Sequence, residues 1–242
     1  MEPKVCITGA GSGMGRLLAE RMAARGMDVL ALDRDPAVLE LADATEGVRG
    51  EVVDVTDVDA VAALVSGTAW DHLVTAAGIG HTGRVCDTSP AEHARLVGVN
   101  YLGTVNVVAA ALPAMRAAGQ GRLTVFASLA GWVPAPEHGP YGATKAALVL
   151  WSQALARELR AEGVRVTCVC PSAVATPLLD DMPAARGAKW AKPADPARIV
   201  DAVLKAQDHD RAWVFPREAK AIQVLQRFTP RLLERATRLA LR

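Results

Sequence analysis

Apolar residues fall along this chain in short unbroken runs, separated by longer stretches with helical spacing. Val5 to Thr8, Val29 to Asp33, Val48 to Asp54, His72 to Ala77, Arg122 to Ser128, Val164 to Cys170 and Ala212 to Phe215 read as strands. Between them lie helices over about Gly13–Arg25, Pro36–Asp43, Asp57–Val65, Pro90–Ala118, Tyr141–Ala161 and Pro196–Gln207, with a turn at Gly119-Gln120-Gly121. Strands rich in Val, Ile and Leu on both faces, joined by helices, predict an α/β fold. Parallel crossovers then give a doubly wound seven-stranded parallel sheet. No repeat, low-complexity tract or linker divides residues 1–242, so a single domain is expected.

Composition narrows the class. Apolar residues make up 51% of the chain and charged residues 22%, enough for a large core, which excludes a disordered, collagen-like or disulfide-stapled protein. A net charge of +1 provides no chain-wide basic field, so nucleic acid is not an expected partner. The start, Met-Glu-Pro-Lys, does not resemble a signal peptide, and cytoplasmic localisation is the expectation. Leu96 to Met115 carries no charge, yet its Asn, Pro and Gly residues favour a buried or interface helix over a membrane span. Cys6, Cys86, Cys168 and Cys170 form no CxxC pair and read as reduced thiols. His81 and His138 lack ligand-like companions, so no metal is expected.

Two clusters carry chemistry. The first strand runs into Thr8-Gly9-Ala10-Gly11-Ser12-Gly13-Met14-Gly15 and then a helix. Glycines there permit a tight turn and close approach to a pyrophosphate, which the helix N-terminus attracts. Asp33 ends the second strand, 18 residues beyond Gly15, where a carboxylate accepts ribose hydroxyls and repels a 2′-phosphate. That favours NAD over NADP, although the adjacent Arg34 suits a phosphate. Asp54, followed by Val55, reads either as an adenine contact or as a helix cap. In the second cluster Tyr141 and Lys145 stand one helical turn apart, and an ammonium there would lower the phenol pKa. Ser128 closes a strand at the carboxyl edge, where such sheets hold ligands. Taken alone, each of these residues has an ordinary structural reading.

Together the motifs resemble the short-chain dehydrogenase/reductase family in its compact, single-domain branch, over Val5 to about Thr176. The glycine turn resembles TGxxxGxG, Tyr141-Gly-Ala-Thr-Lys145 resembles YxxxK, and Ser128 precedes Tyr141 by 13 residues. The resemblance implies a Rossmann-type fold and catalytic residues Asn100, Ser128, Tyr141 and Lys145. It also implies cofactor contacts from Ala77, Gly78, Pro171, Val174 and Thr176, besides the turn residues, Tyr141 and Lys145. The chain departs from the family pattern at Thr75-Ala76-Ala77-Gly78, at Pro171-Ser172 and at Val214-Phe215-Pro216, where many tetrameric relatives carry another tail.

The implied function is hydride transfer between NAD(H) and a secondary alcohol or ketone. Trp132, His138, Leu178 and Met182, with Ser128, are the expected substrate contacts, and the apolar ones favour a steroid, terpenoid or lipid-like molecule. An NADPH-dependent ketoacyl reductase and a non-catalytic dinucleotide-binding sensor of the same fold are the alternatives. A homodimer or homotetramer is expected. Residues 216–242 carry seven basic and two acidic residues at amphipathic spacing. They read as a helical tail packed on its own domain, with a subunit contact, a cover over the substrate entrance or a peripheral membrane contact as other readings.

Overall fold

A computed structural model of the chain describes residues 2–183, 193–215, 228 and 229. Seven strands run β1 Lys4–Thr8, β2 Asp28–Asp33, β3 Val48–Val52, β4 His72–Thr75, β5 Gly121–Phe126, β6 Val164–Val169 and β7 Trp213–Val214. All pair in parallel, in the order β3-β2-β1-β4-β5-β6-β7. The order reverses direction between β1 and β4. At that point neighbouring crossovers leave to opposite faces and open a crevice at the carboxyl ends of the strands.

Alternate side chains of each strand feed two cores. Val5 and Ile7 of β1 face α1 (Gly13–Ala23), α2 (Ala37–Ala44) and α7 (Pro196–Asp208), packing with Leu18, Met22, Leu41 and Val200. Cys6, between them, faces the opposite layer of α3 (Val58–Val65), α5 (Gly103–Ala118) and α6 (Gly139–Glu158), with Val61, Val107, Met115 and Leu148. Each fully buried leucine contributes about 1.5–3 kcal/mol, so the sheet is fixed from both sides. The predicted strands and helices are all present, with ends shifted by a few residues, and Gly119 makes the expected turn at φ 66°.

One element differs from expectation. The helix predicted over Pro90–Ala118 is three pieces: α4 Pro90–Val97, a π-helical turn Gly98–Leu102, and α5. The Gly103 N–H bonds to the Gly98 carbonyl, five residues back. Two forces impose the widened turn. A side chain at Gly103 would collide with Val55 Cγ2 at 2.5 Å, so the helix passes tightly over the end of β3. The turn also carries Asn100 into the interior. By length and hydropathy this helical run could cross a membrane, but Leu96, Val107, Val108, Ala111 and Met115 are buried in the protein.

His72, in register with Val5 and Arg122, is buried with no hydrogen-bond partner for Nδ1 among the described residues. Burial, aided by the Arg122 charge, pushes its pKa down to about 4. The neutral imidazole's contribution is complete above pH 6.5 and is lost as pH falls from there to about 4. Urea unfolding should therefore show about 2–3 kcal/mol less stability at pH 4.5 than at pH 7.5 from this group alone. In His72→Leu that part of the pH dependence should vanish; an identical pH dependence in both proteins would refute the assignment.

Candidate active site

The carboxyl ends of the strands bring the sequence motifs to one edge. Ser12 precedes α1 in an extended conformation without a side-chain cap, and the helix's first turn holds no acid, so its N–H groups face outward. A side chain at Gly15 would lie 2.0 Å from the Gly9 carbonyl oxygen, and one at Gly9 would lie 2.6 Å from Ala77 N. The turn thus closes only with glycine at both positions. Thr8 Oγ1 accepts from Ala77 N at 3.3 Å, tying the turn to the end of β4. The Asp33 carboxylate accepts from Gly11 N at 2.8 Å and Asp35 N at 3.0 Å, which holds it at the rim of the cradle. Thr176 stands against Gly13, and Met14 packs on the core below. Pro171 O accepts from Leu129 N, and Val174 bridges to Ala194. An exposed anion cradle beside a ribose-height carboxylate fits a dinucleotide.

Asp54 is not the helix cap. Its Oδ1 accepts from Thr56 N and Oγ1 at 2.8 and 2.7 Å, which holds its pKa down, while Asp57 caps α3 through Ala60 N. Val55 is buried, and its carbonyl accepts from Asn106 Nδ2.

Ser128, Tyr141, Lys145 and Asn100 converge next to Gly78. The turn Leu129–Gly131 lies directly on α6: a side chain at Gly131 would meet the Lys145 backbone at 2.7 Å. That approach sets Ser128, whose Oγ accepts from Ala130 N at 3.1 Å, close enough to the Tyr141 hydroxyl to lower its pKa. Lys145 Nζ donates to the Phe126 carbonyl at 2.9 Å and lies 5.7 Å from the Tyr141 ring centroid. Asn100 is fully buried. Its Oδ1 accepts from Ile79 N at 2.8 Å, and its Nδ2 donates to Ile79 O and Thr144 Oγ1, both at 3.1 Å.

The expected acid phenol is not a property of the protein alone. Burial pushes Tyr141 up to about 12, partly countered by the Ser128 bond, and pushes Lys145 down to about 8. Both shifts follow from placing charges where water is excluded.

The expected substrate residues separate into groups. Met182 packs with Leu179 against Tyr141, and Met182 and the Leu178 carbonyl both press on Gly80. His138 is buried; its Nδ1 lies 2.9 Å from the Pro136 carbonyl, which can only accept, so Nδ1 donates, and Nε2 has no partner among the described residues. Trp132 sits elsewhere, edge-on to Trp213 and Phe215 at 5.6 and 5.8 Å between ring centres. Arg34 lines a cavity of about 400 Å³ with Gly80, His81, Thr82, Arg95 and Asp181. His81 contacts Glu92 and Thr88. Part of the expected substrate segment, residues 184–192, and nearly all of the tail lie outside the described residues. Among the described residues no three His, Cys, Asp or Glu side chains group to hold a metal.

Sequence reasoning missed Thr144, Ile79 and Gly131. Thr144 sits inside the YxxxK stretch, and no spacing marks it. Gly131 follows Ser128 by three, and the requirement it meets appears only when the turn lies on α6.

The fold and edge chemistry define a dinucleotide-binding protein, and comparison with known proteins narrows this. Residues 3–187 match the family model described as short chain dehydrogenase. The 2-keto-3-deoxy-L-fuconate dehydrogenase of Xanthomonas campestris is 35% identical over 183 residues, 74% of this chain but only 61% of that protein's length. Oxidoreductase UcpA of Escherichia coli is 34% identical over 211 residues, 83% of this chain and 78% of its own. Among solved structures, a short-chain dehydrogenase from Streptomyces avermitilis superposes with a TM-score of 0.85 at 28% identity, covering 98% of each chain. A Burkholderia phymatum member in complex with NAD gives 0.82 at 26%, covering 96% of this chain and 95% of that one. The chain belongs to the short-chain dehydrogenase/reductase family, and it is an oxidoreductase that uses a nicotinamide dinucleotide.

Lys145 carries a stability penalty that can be measured. Its ammonium is disfavoured by burial below about pH 8, and the penalty fades between pH 8 and 10.5. Lys145→Met removes the charge while leaving the Phe126 carbonyl without its donor. At pH 7 the variant should be more stable by about 2 kcal/mol, raising Tm by about 4–8 °C. An unchanged or lowered Tm by calorimetry would contradict this.

Proposed function

We propose that this protein interconverts a secondary alcohol and its ketone with NAD(H), through Tyr141 as proton carrier. The observation that supports this most is the meeting of the Tyr141 phenol, Ser128 hydroxyl and buried Lys145 ammonium beside the glycine cradle. Bound nicotinamide supplies a hydride acceptor or donor at its C4. Ser128 turns its hydroxyl hydrogen bond to the substrate oxygen, keeping its proton, and so orients the substrate. In oxidation Tyr141 Oη takes the carbinol proton, and in reduction it returns that proton to the developing alkoxide. Lys145 would hold the nicotinamide ribose, with its ammonium 5.7 Å from the centre of the Tyr141 ring. Asn100, fixed by Ile79 and Thr144, stands with the Lys145 ammonium against Gly78. Gly9, Gly11, Ser12, Gly13 and Gly15 hold the pyrophosphate, with Asp33 on the adenosine ribose.

Leu179 and Met182 against Tyr141 favour an apolar substrate of the steroid, terpenoid or lipid kind. A second reading, a polar or anionic hydroxy compound, is favoured by the cavity that Arg34, His81, Thr82, Arg95 and Asp181 line beside it. The Xanthomonas relative named for 2-keto-3-deoxy-L-fuconate agrees with that reading. A screen of steroids, long-chain secondary alcohols and sugar acids with both cofactors separates the two.

Tyr141→Phe should lower kcat by about 10²–10⁴-fold while NADH binding, read by fluorescence, stays within about threefold. Retained turnover would refute the role of the phenol. Asp33→Ala should weaken NADH by about tenfold or more, since two charge-assisted bonds are lost, and should narrow or invert the preference over NADPH. Wild-type protein that binds NADPH more tightly than NADH would overturn the assignment of Asp33.

A further inference from the structure

The amide of Asn100 is fully buried, and Ile79 and Thr144 hold it from two sides. Ile79 N can only donate, which assigns the amide atom 2.8 Å away as Oδ1. Nδ2 therefore faces Ile79 O and Thr144 Oγ1, both at 3.1 Å, and both of its hydrogens are used. Thr144 is buried too. It gives its own proton to the Tyr141 carbonyl at 2.7 Å, so its oxygen meets Asn100 with a lone pair. Donors and acceptors along Tyr141 O, Thr144 Oγ1, Asn100 and Ile79 fit together in one way only.

A threonine inside a helix ordinarily bonds a carbonyl three or four residues back. Thr104 does so on α5, where its Oγ1 donates to the Asn100 carbonyl at 3.1 Å. Thr144 makes such a bond as well, although the Lys145 N–H already reaches the Tyr141 carbonyl in a regular α-helix. What sets Thr144 apart is its second contact, to a side chain 44 residues away on another element. The π-helical turn carries Asn100 inward, Thr104 fixes its backbone, and Thr144 takes one hydrogen of its amide. Asn100 Oδ1 and Lys145 Nζ then lie 3.1 and 3.5 Å from where a Cβ on Gly78 would sit. Thr144 and Lys145 are consecutive, so one turn of α6 places both the ammonium and the amide that meet at this glycine.

We propose that Thr144 is a positioning residue for the reaction: its hydroxyl holds the Asn100 amide in the orientation that keeps Oδ1 together with Lys145 Nζ at Gly78. This role rests on those given above to Asn100, Tyr141 and Lys145. Without the hydroxyl, one amide hydrogen is left unpaired in the interior, and the group can recover a partner only by turning away from Ile79.

Thr144→Val replaces the hydroxyl with a methyl of similar size, and Thr144→Ser restores it. Turnover is read with NADH and 2,3-butanedione, a small diketone that asks little of the pocket. Thr144→Val should lower kcat at least about tenfold with both KM values within about twofold, and Thr144→Ser should stay within about threefold of wild type. In an Asn100→Ala background Thr144→Val should cost less than about twofold more, because the two residues act as one unit. Hydrogen exchange at the Ile79 amide, read by NMR, should lose at least about tenfold in protection in Thr144→Val and keep it in Thr144→Ser. An unchanged kcat in Thr144→Val would overturn the proposal. So would its full additional cost in Asn100→Ala, or a Thr144→Ser no better than Thr144→Val. Wild-type protein that turns over neither butanedione nor any compound of the screen above would overturn the alcohol–ketone reading instead. Exchange at Ile79 then decides whether Thr144 holds the amide: lost protection in Thr144→Val upholds it, and unchanged protection overturns it.

Discussion

The ammonium of Lys145, shut away from water and held by the Phe126 carbonyl, is the constraint around which the site is arranged. A charge in such a place is unfavourable, and the surrounding structure has to fix it there. The carbonyl that receives it ends β5, so the sheet itself sets its position. The neighbouring α6 turn carries Tyr141 on the same face, and the turn after β5 presses Ser128 onto that phenol. Sheet edge, tight turn and helix each place one group, and the chemistry needs all three within a few ångströms.

Tyr141 and Lys145 shift in opposite directions for one reason. Exclusion of water disfavours a phenolate and an ammonium alike, so Tyr141 rises and Lys145 falls. The protein by itself therefore keeps the phenol protonated at neutral pH. In the proposed role, a phenol in that form is ready to donate, and acceptance requires added positive charge close to the oxygen.

Much of this was legible before any coordinates. The glycine turn between β1 and α1, Asp33 at the end of β2 and the Tyr-Lys pair on α6 are local signals, set by backbone sterics and helical spacing. Asp54 was half legible: its acid was visible, but only geometry shows that its oxygens turn to Thr56 while Asp57 does the capping. Trp132 reads as a substrate contact because its loop, Leu129 to His138, lies at the carboxyl ends of the strands, yet it pairs edge-on with Trp213 and Phe215. That pairing is between segments about 80 residues apart and leaves no trace in local pattern.

The widened turn at Gly98–Leu102 has a consequence for how this helical segment tolerates change in length. A turn with an i to i+5 bond holds one residue more than a regular helix. Deleting any one residue between Gly98 and Leu102 would restore an unbroken rod and ease the backbone locally. The flanking turns would keep their phase, because the widened turn absorbs its extra residue without rotating α4 against α5. Asn100, carried inward by that turn, would lose its bonds to Ile79 and Thr144. The segment is thus held to its length by the bonds of one buried amide, and the helices on either side tolerate the widened turn without losing their aim.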